Sequence, residues 1–127
     1  MGRLFDKRRY ESRLSMLTKR AKQSDNKTDD LDIGESCYLL SLIGAVRLFR
    51  MKCMSADELF HEQKRLEQEL LRYYQHCELF DLHIEISSRC SEILTEAVKH
   101  GCPICKRLVR VFDGRIAEEK QKGENIL

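Results

Sequence analysis

The sequence contains one proline, Pro103, and no tryptophan, and neither glycine nor proline occurs between Ser55 and His100. A stretch of this length without helix-breaking residues argues against a loop-rich chain and predicts one long helix or two stacked helices. Both limits of the stretch carry residue patterns that are typical of helix termini. Ser55 followed by Glu58 is typical of a capping box, and Gly101 before Pro103 is typical of a helix C-terminus.

Long apolar runs are also missing from the sequence. The longest, at residues 37–46, is about half of what a bilayer crossing needs, so no membrane association is expected. Residues 1–6 lack the apolar segment and the cleavage site of a secretory signal. We therefore expect a cytoplasmic protein in which the six cysteines are reduced thiols that serve mostly as small core residues.

The composition and the hydrophobic periodicity indicate the fold class. With 127 residues, of which 42% are apolar and 35% charged, the chain has the size and balance of one helical domain. The patterns predict an all-α fold, a bundle of four or five helices with a long acidic central helix that is continuous or broken near Asp81. The predicted organisation is a basic N-terminal helix at residues 1–22, a flexible polar linker at 23–34, a helical core domain at 35–120 and a frayed tail at 121–127.

The second helix, which we expect to begin near Asp32 or Ser36 and to end near Lys52, carries apolar side chains around most of its circumference. Such a helix is typically buried inside a bundle instead of lying at its surface. Gly44 in its middle indicates either the close approach of another helix or a bend.

One segment conflicts with an all-helical chain. Residues 80–86 alternate strictly between apolar and polar side chains, which is the pattern of a half-buried strand. Residues 108–112 offer a second strand, so an α+β fold with a small hairpin is the minority alternative. Because two strands alone are marginally stable and no third strand is visible, helices are favoured.

Apolar residues of the acidic segment recur at alternating steps of three and four from Leu59 to Ile84, which is a short coiled-coil pattern. Leucine and aromatic side chains in such a pattern can form a ridge that binds a protein partner or a second copy of the chain. The residues expected to form this partner interface are Leu66, Leu70, Tyr73, Tyr74, Phe80 and Ile84.

Positive charge is concentrated at the amino terminus, where residues 1–22 hold eight Lys or Arg against two acidic residues. A basic helix of this kind can bind the phosphates of nucleic acid, an acidic protein surface or the acidic helix of its own chain. The residues expected to bind nucleic acid or an acidic partner are Arg3, Lys7, Arg8, Arg9, Arg13, Lys19 and Arg20.

The turn between Cys102 and Cys105, together with the neighbouring His100, is the sharpest local motif. Two cysteines at this spacing and one histidine can supply three ligands of a tetrahedral zinc ion, although a fourth is missing from the immediate sequence. The favoured alternative is that both cysteines face the core. A redox function is less favoured, because the βαβ pattern of thioredoxin-like enzymes is absent.

Sequence motifs of catalysis are not found: there is no Gly-rich phosphate loop, no nucleophile elbow and no Ser-His-Asp set. We therefore expect no enzyme and no cofactor apart from the optional zinc. The sequence predicts a small non-catalytic helical regulator or adaptor that acts by protein–protein binding. A complex that handles nucleic acid is one candidate partner. The alternative is a direct nucleic-acid-binding protein that uses the basic N-terminal helix and a structural zinc at Cys102 and Cys105.

Overall fold

The computed structural model describes residues 6–76 and 80–126, and it describes side chains in residues 6–76 and 86–121. These ranges contain only helices and connections, so the predicted helical bundle is confirmed. The hairpin alternative is wrong, because residues 82–86 and 108–112 both lie inside helices. The five helices are α1 (Lys7–Lys22), α2 (Ile33–Arg50), α3 (Ala56–Gln75), α4 (Phe80–Lys99) and α5 (Pro103–Ile126).

Two of the helices begin with a complete capping box. The Ser55 hydroxyl accepts the N–H of Glu58 at 3.1 Å, and the Glu58 carboxylate accepts the N–H of Ser55 at 3.1 Å, as the sequence predicts. Asp32 and Glu35 make the same reciprocal pair at the start of α2. Each box satisfies backbone donors that the first helical turn leaves unpaired, and thereby fixes where the helix starts.

Three helices end in the same left-handed turn. Gly101 has a φ of 85°, and the two hydrogen bonds that follow, Gly101 to Val98 and Cys102 to Ala97, define a Schellman motif. This confirms the helix end predicted at Gly101. Ser24 and Lys52 occupy the corresponding position after α1 and α2, with φ values of 58° and 63°, although neither is a glycine.

Helix α2 is the centre of the bundle and contacts each of the other four helices. Every residue from position 33 to position 46 is buried, which agrees with the expected central position. Gly44 explains how α4 can approach so closely. A Cβ at this position would lie 2.9 Å from Ile93 Cγ2 and 3.1 Å from Leu94 Cδ2.

Helices α1 and α2 run in the same direction. Arg13 contacts Glu35 near the start of the pair, and Ser24 contacts Arg47 near its end. Because a parallel pair cannot be joined by a short turn, the connection at residues 23–32 has to return along the length of the bundle.

That connection is packed against the bundle, in contrast to the flexible linker expected from its composition. Thr28 and Leu31 are buried, and Arg115 of α5 donates to the Leu31 carbonyl at 2.6 Å. Leu17 and Ala21 of α1 are buried in the same core as the residues of α2. The basic helix and the polar segment are therefore integral parts of one helical body.

The acidic segment is broken into α3 and α4. Helix α3 ends at Gln75 with His76 as its cap, and α4 begins at Phe80, so the break lies just before the predicted position at Asp81. Helix α5 runs on to Ile126, past the end expected near Lys120. None of the described helices combines the length and the apolar character that a membrane crossing requires.

Candidate binding surfaces

The cations of α1 divide into two groups, of which the first is used inside the chain. Both nitrogens of the Arg13 fork bind the Glu35 carboxylate at 2.7 Å, and Arg20 binds the Asp30 carboxylate at 3.1 and 2.8 Å. Bidentate pairs of this kind fix the side chain in one orientation. Arg13 and Arg20 therefore hold α1 and the return connection in place and are not free to bind a phosphate.

The second group of cations is exposed. Arg8, Arg9 and Lys19 are on the surface, and within the described ranges they form no ion pair. Lys7 makes only a long pair with Glu11 at 3.9 Å, both side chains being largely in solvent. These four remain as candidate ligand-binding cations of α1, while Arg3 lies outside the described residues.

The predicted partner ridge of α3 faces the chain's own core. Leu66, Leu70 and Tyr73 are only 1%, 0% and 3% exposed. The Tyr73 ring lies so close to α2 that a Cβ at Gly34 would be 2.5 Å from it. The expectation of an exposed seam is therefore corrected: the heptad-like spacing encodes packing into the chain's own hydrophobic core.

The other members of the predicted interface have different positions. The Tyr74 hydroxyl donates to Glu35, and its ring meets Tyr10 of α1 edge to face at a centroid distance of 5.9 Å. Tyr74 thus connects α3 to both α1 and α2. Phe80 and Ile84 belong to α4, and their side chains lie outside the described residues.

Glu35 is the residue of this region that sequence reasoning missed. It is 5% exposed and accepts hydrogen bonds from Arg13 and Tyr74. Burial alone would raise the pKa of Glu35, but the hydrogen bonds from Arg13 and Tyr74 and the charge of Arg13 outweigh it and hold the pKa below its usual value. The sequence does contain the capping-box pattern of Asp32 and Glu35. That pattern predicts a Glu35 side chain at the surface end of a helix, so it does not indicate a buried carboxylate.

A surface groove lies where α2 turns into α3, and we call it the corner groove. Its volume is about 660 Å³, and Phe49, which is 39% exposed, forms part of its wall. The acid that lines it, Glu58, is held by the capping box with Ser55. The lining residues are Phe49, Arg50, Lys52, Cys53, Met54, Ser55 and Glu58.

Positive charge surrounds this end of the bundle. Arg50 donates to the Lys22 carbonyl at 3.3 Å, which places the ends of α1 and α2 side by side. Lys19, Lys22, Arg50 and Lys52 are all exposed there. Cations at helix C-termini interact favourably with the carbonyl ends of the helix dipoles, so the placement has a structural reason as well as an electrostatic consequence for ligands.

A second groove of about 640 Å³ separates α1 from α3. Leu14 and Thr18 line it from α1, and Gln63 and Glu67 line it from α3. Lys19 and Lys22 also line it, so it extends to the same basic end of the bundle as the corner groove. Both grooves are open to solvent, a shape that suits a macromolecular partner better than a small substrate.

Among the side chains that the structure describes, Phe60 is the other exposed phenylalanine, and it does not line the corner groove. It is 57% exposed on α3, and the Lys64 ammonium lies 5.4 Å from the centre of its ring. The cation and ring stabilise each other locally, by about 0.5 to 1 kcal/mol at an exposed site. Phe60 therefore provides a natural comparison for Phe49.

The residues predicted to bind zinc are not brought together. His100 bonds to Glu96 at 3.0 Å on the surface of α4, whereas Cys102 and Cys105 are 5% and 0% exposed at the start of α5. Within the described ranges, no three His, Cys, Asp or Glu side chains converge in a way that could hold a metal ion. The two thiols interact with each other instead, and the Cys105 N–H donates to the Cys102 sulfur at 3.4 Å.

Comparison with protein-family models, with curated proteins and with solved structures gives no match.

Proposed function

We propose that this protein is a non-catalytic helical adaptor or regulator that binds an acidic amphipathic helix of a partner protein in the corner groove. The observation that carries the proposal is Phe49, an exposed aromatic wall of a groove whose rim holds Arg50 and Lys52. Aromatic anchors beside arginine are the usual centres of binding energy in protein interfaces.

The conformation of Lys52 supports a role for its side chain. A left-handed φ costs an ordinary residue roughly 1 kcal/mol compared with glycine, which adopts it freely. Glycine occupies the equivalent turn after α4, at Gly101. A lysine at this position is intrinsically unfavourable, and its charge at the rim of the groove is a benefit that glycine would not supply.

Charge decides the kind of partner. Arg50 and Lys52 have exposed side chains, and Glu58, the acid of the groove, already accepts the Ser55 N–H. A helix with carboxylates on its flanks and one large apolar side chain in between would pair with both cations and pack against Phe49. Such helix-in-groove binding draws its affinity from the apolar anchor and its orientation from the flanking charges.

A display library of helical peptides tests this proposal directly. We expect selection on the full-length protein to enrich peptides that place acidic residues around an aromatic residue or leucine. Phe49→Ala should weaken the enriched peptides by about tenfold or more, as expected for an interface anchor. Phe60→Ala is the matched control, since it removes an equally large exposed ring outside the groove and should leave binding unchanged.

Charge reversal gives the second comparison. Arg50→Glu/Lys52→Glu should abolish binding of the acidic peptides, whereas Arg8→Glu/Arg9→Glu changes the net charge by the same amount on α1 and should have little effect. If both double variants weaken peptide binding equally, the peptides are attracted only by the overall charge of the protein. That result would refute the corner groove as the binding site.

Direct nucleic-acid binding is the second candidate, and the exposure of Arg8, Arg9 and Lys19 favours it. These cations project from α1 without ion-pair partners in the described ranges, so they can neutralise phosphates. Fluorescence anisotropy with single-stranded RNA and duplex DNA oligonucleotides tests it over a range of salt concentrations. A steep loss of affinity with salt, removed by Arg8→Glu/Arg9→Glu and retained in Arg50→Glu/Lys52→Glu, would establish this function in place of the first.

A further inference from the structure

The junction of α4 and α5 places two cysteines in a chemically asymmetric arrangement. Cys102 closes α4, since its N–H donates to the Ala97 carbonyl, and it also opens α5, since its carbonyl accepts the N–H of Lys106. Cys105 follows one turn later in α5. The backbone on both sides of Cys102 is therefore fixed, and its sulfur is held over the first turn of the helix.

The sulfur of Cys102 accepts the backbone N–H of Cys105 at 3.4 Å. Cys102 retains 5% exposure beside the exposed Gly101, whereas Cys105 is completely covered. Of the two residues, only Cys102 therefore retains any contact with solvent.

The charge of Arg47 acts on Cys105. Arg47 of α2 donates through its Nη2 atom to Ser24 at 2.8 Å, and its buried Nε atom has no hydrogen-bond partner among the described residues. Burial and the neighbouring Cys102 raise the pKa of Cys105 to about 12, while the Arg47 charge acts in the opposite direction. Cys105 thus stays a protonated thiol until a reaction removes its proton.

We propose that Cys102 and Cys105 form a redox-sensitive dithiol, in which Cys102 reacts with an external disulfide such as glutathione disulfide and Cys105 completes an intramolecular disulfide. The inference is independent of the corner groove and of any binding partner. It rests on the spacing of the two cysteines at the start of α5, on the contact between the Cys105 N–H and the Cys102 sulfur, and on the difference in exposure of the two residues.

The reaction is balanced without any other reagent. Cys102 loses its proton to solvent, and its sulfur attacks one sulfur of glutathione disulfide, which forms a mixed disulfide and releases one glutathione thiolate. Cys105 then loses its proton to solvent, its sulfur attacks that of Cys102, and the second glutathione leaves as a thiolate. Two electrons pass from the cysteine pair to glutathione disulfide, which becomes two molecules of reduced glutathione.

Mass spectrometry of the full-length protein in glutathione redox buffers tests the proposal. Cys53→Ser is the suitable background, because Cys53 is exposed and would react on its own. We expect oxidised buffers to remove two hydrogen masses from the peptide that contains Cys102 and Cys105. Cys37 and Cys90 serve as the internal control, since both are completely buried in the core and should stay reduced.

A trapping variant assigns the roles of the two cysteines. Cys105→Ser should accumulate one glutathione on Cys102, whereas Cys102→Ser should stay unmodified at Cys105. Circular dichroism of each variant verifies that it is folded. Rapid acid quenching of the Cys53→Ser protein during oxidation also shows which cysteine carries the first glutathione, without a further substitution. The proposal is overturned if both cysteines remain reduced in every buffer, or if the glutathione is found on Cys105.

Discussion

Arg13 and Glu35 form a bidentate ion pair in which both nitrogen–oxygen distances are 2.7 Å, and the carboxylate side chain is only 6% exposed. Arg13 lies on α1 and Glu35 on α2, so the pair joins the basic helix to the centre of the bundle. Tyr74 of α3 donates to the same carboxylate. Three helices thus meet at one buried negative charge, which is stable there only as long as its donors remain.

Removing the arginine should leave that charge partly uncompensated. We expect Arg13→Ala to lower the free energy of unfolding by about 2 kcal/mol, less than for a deeply buried pair because Arg13 itself is 31% exposed. Urea denaturation followed by circular dichroism measures the change. Arg8→Ala is the matched control, since it removes an exposed arginine of the same helix, and equal losses in the two variants would contradict the assigned role.

The same carboxylate should make stability depend on pH. The pKa of Glu35 is lower in the folded protein than its ordinary value of 4.5, because hydrogen bonds and charge from Arg13 outweigh burial. Its stabilising contribution is therefore complete above about pH 4.5 and is lost as the pH falls through the folded pKa. Urea midpoints measured between about pH 7 and about pH 3 should fall less steeply at the acidic end in Glu35→Gln than in the wild type. Parallel curves would contradict the prediction.

Local sequence signals predicted the helices well, because the capping box at Ser55 and the left-handed Gly101 are decided by neighbouring residues. The parallel arrangement of α1 and α2 was not predictable in this way. It depends on Glu35 being covered by Arg13 and on Leu31 being buried, and both are contacts between distant parts of the chain. A heptad pattern likewise shows that Leu66 and Leu70 need an apolar partner, but it does not indicate that this partner is the core of the same chain.

Two glycines in helices should respond oppositely to alanine. At Gly34 a Cβ would lie 2.5 to 2.8 Å from the buried Tyr73 ring, so Gly34→Ala should cost about 1 to 3 kcal/mol through forced repacking. At Gly114 nothing lies within 4 Å of the new Cβ, so Gly114→Ala should stabilise α5 by about 0.5 to 1 kcal/mol through helix propensity. Thermal and urea denaturation measure both, and a neutral Gly34→Ala would contradict the described contact with α2.

Chelation should have no structural effect on the turn between Cys102 and Cys105. His100 is paired with Glu96, and the raised pKa of Cys105 favours a thiol, which must lose its proton before it can bind zinc. We expect treatment of the purified protein with EDTA to leave the helical circular dichroism signal unchanged. One equivalent of zinc by elemental analysis, whose removal unfolds the protein, would instead establish the zinc site suggested by the sequence.

Lys52 offers a way to separate stability from binding. Lys52→Gly should raise the free energy of unfolding by about 1 kcal/mol, because glycine adopts the left-handed turn without strain. If the charge of Lys52 helps to hold an acidic helix in the corner groove, the same variant should bind that helix more weakly although it is more stable. Lys52→Arg keeps the charge and the strain, and should preserve both wild-type properties. Denaturation and peptide titration of the wild type and the two variants test both effects. A Lys52→Gly variant that is more stable and binds the peptide normally would show that Lys52 is not part of the proposed interface.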